Sequence, residues 1–431
     1  MNTTVASPAP GSRPATAPAD GLSRPRRALA GVLLYFVVLG VGTVMLGPAL
    51  PLLAARWRMP DASLGTLFLA CFAGQFCGSW LATPRLRASM TLGAAAAAGG
   101  ILALAFSGAA TAHLALFCAG LGLGAGLTAG NVLVGTGADS TAAGVVANSR
   151  GAARSRNLAL LNMSWGLGAI ACPLLLGASL RIPCFHLFDS SHAEPGQVFF
   201  VGLAFAFASG AALLAWLLPR QQPPGATAET LGTHPLLETH SRIPARTLLH
   251  FGAAFMLYVG VENSLAGWLP TYAQRLAPGG SLDGRASAIA LCFWICELAS
   301  RGLTALLIGR VPERRFYRGC LLALIATAAT LALTPRLGTA GIFAIAAAAA
   351  LSLAPLYPLS VSFLLARTGN HPRVGKVFAC ASLGGTILPW LTGVLSTRFH
   401  SLRVGLATPA VGAALLLLLS FSLPRGKKPS Q

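Results

Sequence analysis

Apolar residues along this 431-residue chain fall into twelve long runs, near 28–54, 62–82, 88–109, 112–136, 157–180, 197–218, 246–273, 285–308, 316–334, 338–366, 374–396 and 402–423, with polar residues gathered between them. A helix rises about 1.5 Å per residue, so about 20 such residues cross the hydrocarbon of a bilayer. The pattern predicts an all-α integral membrane protein of twelve transmembrane helices. The longest polar stretch between runs, 219–245, divides them six and six. An even split with a long connection predicts two six-helix bundles, 28–218 and 246–423, each of inverted three-helix repeats, with a substrate path between them near the midplane. CGSWLATPRLR after the second run and SRGLTALLIGRVPERR after the eighth fit such a duplication.

Basic residues set the expected orientation. Of the 31 Lys and Arg, 22 lie in the tails and even-numbered loops, eight in the odd-numbered loops, and one, Arg301, inside a run. Cytoplasmic loops keep the basic excess, so both termini are expected in the cytoplasm of a multi-pass protein of the cell inner membrane. The same distribution accounts for the net charge of +20, so no nucleic acid is expected as a partner.

With 55% hydrophobic residues, 10% charged and a mean hydropathy of +0.68, the chain cannot be a water-soluble globule. Residues 1–27, rich in Pro, Ala, Ser and Thr, read as a disordered cytoplasmic tail, 219–245 as a cytoplasmic linker and 424–431 as a basic tail. The first run follows RPRR as a signal peptide would, but it is too long and eleven more follow, so it is expected to be retained. All nine cysteines but Cys184 lie in apolar runs, where they act as small hydrophobes, and no disulfide framework is implied. Cys292 and Cys296, one turn apart, lack a His or second Cys pair for a metal. His186, Asp189 and His192 in the 5–6 loop read as a solvated loop. With no HExxH, GxSxG or Walker motif, neither an enzyme, a metal site nor a cofactor is expected.

Glycines at 74 and 78, and at 120, 122, 124, 126 and 130, predict helices in close backbone contact. Pro48 and Pro51, Gly267 and Pro270, and Pro355 and Pro358 mark spans 1, 7 and 10 as places for bends.

A charge at the bilayer centre costs about 2.5–3.5 kcal/mol on insertion scales, so each one there needs a reason. Three qualify. Glu297 and Arg301 stand four apart on one face of span 8, as a structural ion pair or a gating pair, with Trp294 one turn back as a cavity wall. Glu262 in span 7 has no charged residue three or four positions away, so in lipid it is neutral unless another helix supplies a partner. That makes it the foremost proton-carrier candidate. Gln75, Asn131, Asn162, Trp165, Tyr258, Asn263, Tyr357 and Trp390, with Trp294, complete the substrate-binding candidates. Amides to bond hydroxyls and flat rings to stack on C–H faces suit a sugar or similar solute. Trp268 in span 7 belongs with these aromatic side chains or anchors at the membrane interface.

The runs GPALPLL, FAGQFCGSWLA, GLGLGAGLTAGN, LNMSWGLGAIACPLL, YVGVENSLAGWLPTY, APLYPLS and GGTILPWLTG, in that order and spacing, resemble the major facilitator superfamily and within it the fucose-permease-like branch. The resemblance covers nearly all of the chain after residue 28. It implies two bundles rocking around a central site, commonly for sugars and often with proton symport, in a protein that works as a monomer in the lipid bilayer. The chain departs from that branch. The loop after span 2 keeps Gly78, Arg85 and Arg87 but no acid. Leu127 matches the branch's span 4 carboxylate, with Thr128 and Asn131 retained, and Gly47 lies nearest the span 1 carboxylate. Coupling therefore moves to Glu262 or Glu297, or is absent. Drug or metabolite efflux, and a sensor that binds solute without moving it, stay open as alternatives.

Overall fold

A computed structural model of the protein describes residues 24–82, 85–136, 147–181, 196–218, 244–276, 284–307, 310–335, 337–368 and 374–422. Span 1 is two helices, α1 (Arg24–Val44) and α2 (Leu46–Trp57). Spans 2–9 are single helices: α3 (Asp61–Leu81), α4 (Leu86–Phe106), α5 (Ala109–Thr136), α6 (Ala147–Ser179), α7 (Gln197–Leu217), α8 (Ala245–Arg275), α9 (Arg285–Leu307) and α10 (Glu313–Leu333). Span 10 is α11 (Thr339–Leu353) with α12 (Leu356–Thr368), span 11 is α13 (Val374–Arg398), and span 12 is α14 (Leu402–Gly405) with α15 (Ala407–Phe421). Eleven helices among the described residues are long and apolar enough to cross a membrane. They match every expected span except the eleventh, whose 25 residues rise about 37 Å.

Three breaks interrupt the spans, at Met45, Ala354–Pro355 and Leu406. Each has a proline three residues beyond the break, at 48, 358 and 409. Proline offers no N–H to the carbonyl four residues back, and its ring pushes that carbonyl away, so the preceding turn opens. Span 7 departs from expectation: α8 runs unbroken through Gly267 and Pro270. Pro270 cannot bond the Ala266 carbonyl, and that oxygen faces Gly47 of α2, where an added Cβ would stand 2.5 Å away.

The helices before residue 218 pack on one another, as do those after 244, and the two sets meet where α3 lies on α13, α2 on α8 and α6 on α9. Lipid is as apolar as leucine, so close packing rather than water exclusion holds the helices together. The glycines supply it. A Cβ at Gly74 or Gly78 would collide with the Phe117 or Leu121 carbonyl of α5, and one at Gly120 or Gly124 with the Cys71 or Gln75 carbonyl of α3. Trp268 is no interface anchor: it is fully buried and its Nε1–H donates to the Pro389 carbonyl at 2.9 Å.

Candidate functional site

The charged residues of spans 7 and 8 converge at the seam between the two sets. One helical turn brings Arg301 onto Glu297, and the same guanidinium reaches Glu262 of α8, Nη2 to Oε1 at 3.5 Å. The partner that Glu262 lacks in its own helix is thus supplied by α9. Tyr258, one turn before Glu262, donates its hydroxyl to Oε1 at 2.9 Å. Its ring lies 5.5 Å from that of Tyr357 on α12, which turns in after the break at Pro355. From the other set, Trp165 of α6 comes under Arg301, whose guanidinium carbon stands 5.4 Å from the ring centroid. Trp294 meets Trp165 edge to face at 5.7 Å. Trp165 Nε1–H donates to Thr43 Oγ1 at 2.9 Å, which ties the ring to α1.

Burial makes the charge balance consequential. Glu262 and Glu297 are buried, at 9% and 1% exposure, and Arg301 is half-buried. The two carboxyls are close enough for their charges to interact, so one cation serves two acids. Glu297 Oε2 and Arg301 Nε are buried without a hydrogen-bond partner among the described residues. Spare donors and acceptors beside four aromatic rings can take a solute hydroxyl.

Seven candidates therefore form one cluster: Trp165, Tyr258, Glu262, Trp294, Glu297, Arg301 and Tyr357. The other five are not joined to it by a side-chain hydrogen bond or ring contact among the described residues. Asn131, Asn162 and Asn263 each donate to the carbonyl four residues back in their own helix. Gln75 is buried with its amide directed to Cys71 Sγ, and the Trp390 backbone lies against Gly65. No group of three or more metal-ligating side chains occurs among the described residues. His186, Asp189 and His192 lie outside the described residues.

A second cluster went unseen in the sequence. At the end of the bundle where the odd-numbered loops lie, Arg275 closes α8 and Asp61 opens α3. The guanidinium grips the carboxylate with both arms, one bond being Nη1 to Oδ2 at 2.8 Å. Ser396 of α13 donates to the same carboxylate, and the Ala62 N–H donates to Thr397 Oγ1 at 2.8 Å. Just below, Phe68 stacks on Trp268, Gly65 on the Trp390 backbone and Gly385 on Phe72. The two sets are thus sealed together along the odd end. Each residue had a local reading that masked the pairing, an acid in a first turn and a base in a last turn, both favoured by the helix dipole.

No curated protein sequence matches the chain. Among solved structures, a bacterial homologue of the human lysosomal transporter Spinster, inward-facing and occupied, superposes with a TM-score of 0.69 over 93% of this chain and 97% of that one, at 16% identity. The E. coli xylose transporter XylE, partially occluded and inward-open, gives 0.66 over 94% and 99% at 13% identity. The E. coli fucose:proton symporter FucP, in its outward conformation, gives 0.57 over 92% and 99% at 18% identity. Identities this low establish the fold alone. The Major Facilitator Superfamily sequence model, however, matches residues 137–374, more than half of the chain. Two helix sets meeting at a charged seam, the shared fold and that match together place this chain in the Major Facilitator Superfamily.

Proposed function

We propose that the protein is a secondary transporter of a sugar or similar polyhydroxy solute, working by alternating access, with one exchangeable proton held by the Glu262–Glu297 pair. The observation that carries the reading is Arg301, held between two carboxyls of one helix set and stacked on Trp165 of the other. One guanidinium balances one carboxylate, and a second buried carboxylate costs several kcal/mol unless it is protonated or paired. A proton on that second acid, or a solute that draws Arg301 away, changes the charge on which the seam closes. Trp165, Trp294, Tyr258 and Tyr357 offer flat faces for sugar C–H groups. The named cargoes of the xylose and fucose transporters support the solute class.

The basic even-numbered loops support a reading with the even end and both termini in the cytoplasm, at the inner membrane. The Asp61–Arg275 tie then closes the outer end, in keeping with higher superposition on the inward-facing structures. Efflux of an organic cation is the second reading, since two carboxyls among four rings also suit a cation. Proteoliposome uptake of labelled pentoses and hexoses, with and without an inward proton gradient, tests the proposal. Gradient-stimulated sugar accumulation is expected. Gradient-driven expulsion of a lipophilic amine with no sugar flux would establish the second reading instead.

A further inference from the structure

The first span of each helix set carries a repeated segment. Leu46, Leu50, Pro51 and Arg56 recur at one constant offset as Leu265, Leu269, Pro270 and Arg275. The packing repeats with them: a Cβ at Gly168 would collide with the Val37 carbonyl and one at Gly384 with the Met256 carbonyl, and Val37 and Met256 are a further pair at that offset. On this register Thr43 of α1 stands where Glu262 stands in α8. The two counterparts are linked across the seam. Thr43 Oγ1 accepts the Trp165 Nε1–H at 2.9 Å, the Trp165 ring centroid lies 5.4 Å from the Arg301 guanidinium carbon, and Arg301 Nη2 reaches Glu262 Oε1 at 3.5 Å.

The hydroxyl of Thr43 is oriented for this task. It donates its own proton to the Gly40 carbonyl at 3.1 Å, which leaves its lone pairs to the indole. The backbone of Trp165 is held at the same place, since a Cβ at Gly40 would collide with the Trp165 carbonyl. Close backbone contact fixes where residue 165 sits, and the hydroxyl fixes which way its ring faces. Because α1 ends at Val44, the next residue, this anchor lies at the break in span 1.

We propose that Thr43 is a positioning residue of the solute site, holding the Trp165 ring under Arg301 and edge to face with Trp294; its effect on solute rests on the sugar-transport reading, its hold on the ring does not. Indole ¹⁵N labelling of the purified protein tests the hold, the Trp165 resonance being the one that W165F lacks. T43V keeps the side-chain shape but cannot accept a hydrogen bond, so it is expected to move the Trp165 N–H proton upfield and leave the other indoles in place. T43S keeps the hydroxyl and is expected to return the resonance. In proteoliposome counterflow of D-xylose and L-fucose, T43V is expected to raise KM about fivefold or more with kcat within about twofold, because the ring loses its one fixed hydrogen bond. T43S, with the acceptor restored, is expected to come within about twofold of the parent KM. An unmoved Trp165 resonance in T43V overturns the assignment whether or not the protein carries sugar. A moved resonance with KM unchanged removes Thr43 from the solute site. A shift of all the indoles alike, or a KM that T43S fails to restore, reduces Thr43 to a fold-stabilising group and overturns the assignment as well. Absence of sugar flux in the parent protein overturns the transport reading, and the resonance then decides whether Thr43 holds the ring.

Discussion

Substitution of Arg275 by Gln tests the outer tie most sharply, because the two partners are unequally buried. The Asp61 side chain is 8% exposed and that of Arg275 44%. Without the guanidinium, Asp61 stays buried with the Ser396 hydroxyl and little else to balance its charge. Losing a hydrogen-bond partner to a buried ionised group costs about 1.5–3 kcal/mol. Asp61→Asn instead frees a guanidinium that water can solvate, so about 0.5–1 kcal/mol is expected. Both losses apply only to the conformation with the odd end closed, so Arg275→Gln shifts the opening equilibrium by roughly 10- to 150-fold and Asp61→Asn by roughly two- to fivefold. Spin labels at Gly108 and Phe399, exposed on opposite helix sets at that end, read the populations by pulsed dipolar spectroscopy in a background with the native cysteines replaced. Arg275→Gln is expected to enrich the long-distance population strongly and Asp61→Asn weakly. The double variant should resemble Asp61→Asn, because no buried charge remains. Unmoved distances, or a double variant equal to the sum of the singles, would show that the tie does not hold the end closed.

Glu262→Gln is expected to abolish gradient-driven accumulation while preserving solute counterflow in proteoliposomes; accumulation that persists would remove Glu262 as proton carrier. Arg301→Ala leaves two buried acids without their cation and is expected to lower stability by about 3–5 kcal/mol, seen as an early thermal melt in detergent that a charge-matched surface variant lacks. Gly78→Leu forces α3 from the Leu121 carbonyl and is expected to cost at least about 1–3 kcal/mol, whereas Gly99→Leu, with nothing within 4 Å of its Cβ, leaves the melt unchanged. Trp165→Phe removes the bond to Thr43 and weakens the stack with Arg301, worth about 0.5–2 kcal/mol; solute affinity should fall up to about thirtyfold, and unchanged binding would detach Trp165 from the site.

The run lengths and the glycine spacing carried the secondary structure and its packing in the sequence itself. A bilayer demands about 20 apolar residues per crossing and internally satisfied backbone, so a membrane helix is spelled out locally. Glu297 and Arg301 were equally legible, being one turn apart on the same helix. Whatever depends on which helices become neighbours was not. Nothing near Glu262 announces that Arg301 reaches it from α9, and nothing near Asp61 points to Arg275, 214 residues away. Asn131, Asn162 and Asn263 each spend one amide N–H on the carbonyl four residues back, and only the packing decides what the rest of each amide faces. Prolines in spans 1, 7 and 10 were read as bends, and breaks do precede Pro48 and Pro358, but Pro270 leaves α8 unbroken with the Ala266 carbonyl set against Gly47, and the break before Pro409 was not read. The sequence by itself determined the class of protein, because lipid solvation acts residue by residue. The tertiary structure alone decided the site, because a buried charge is balanced by whatever side chain the fold brings beside it.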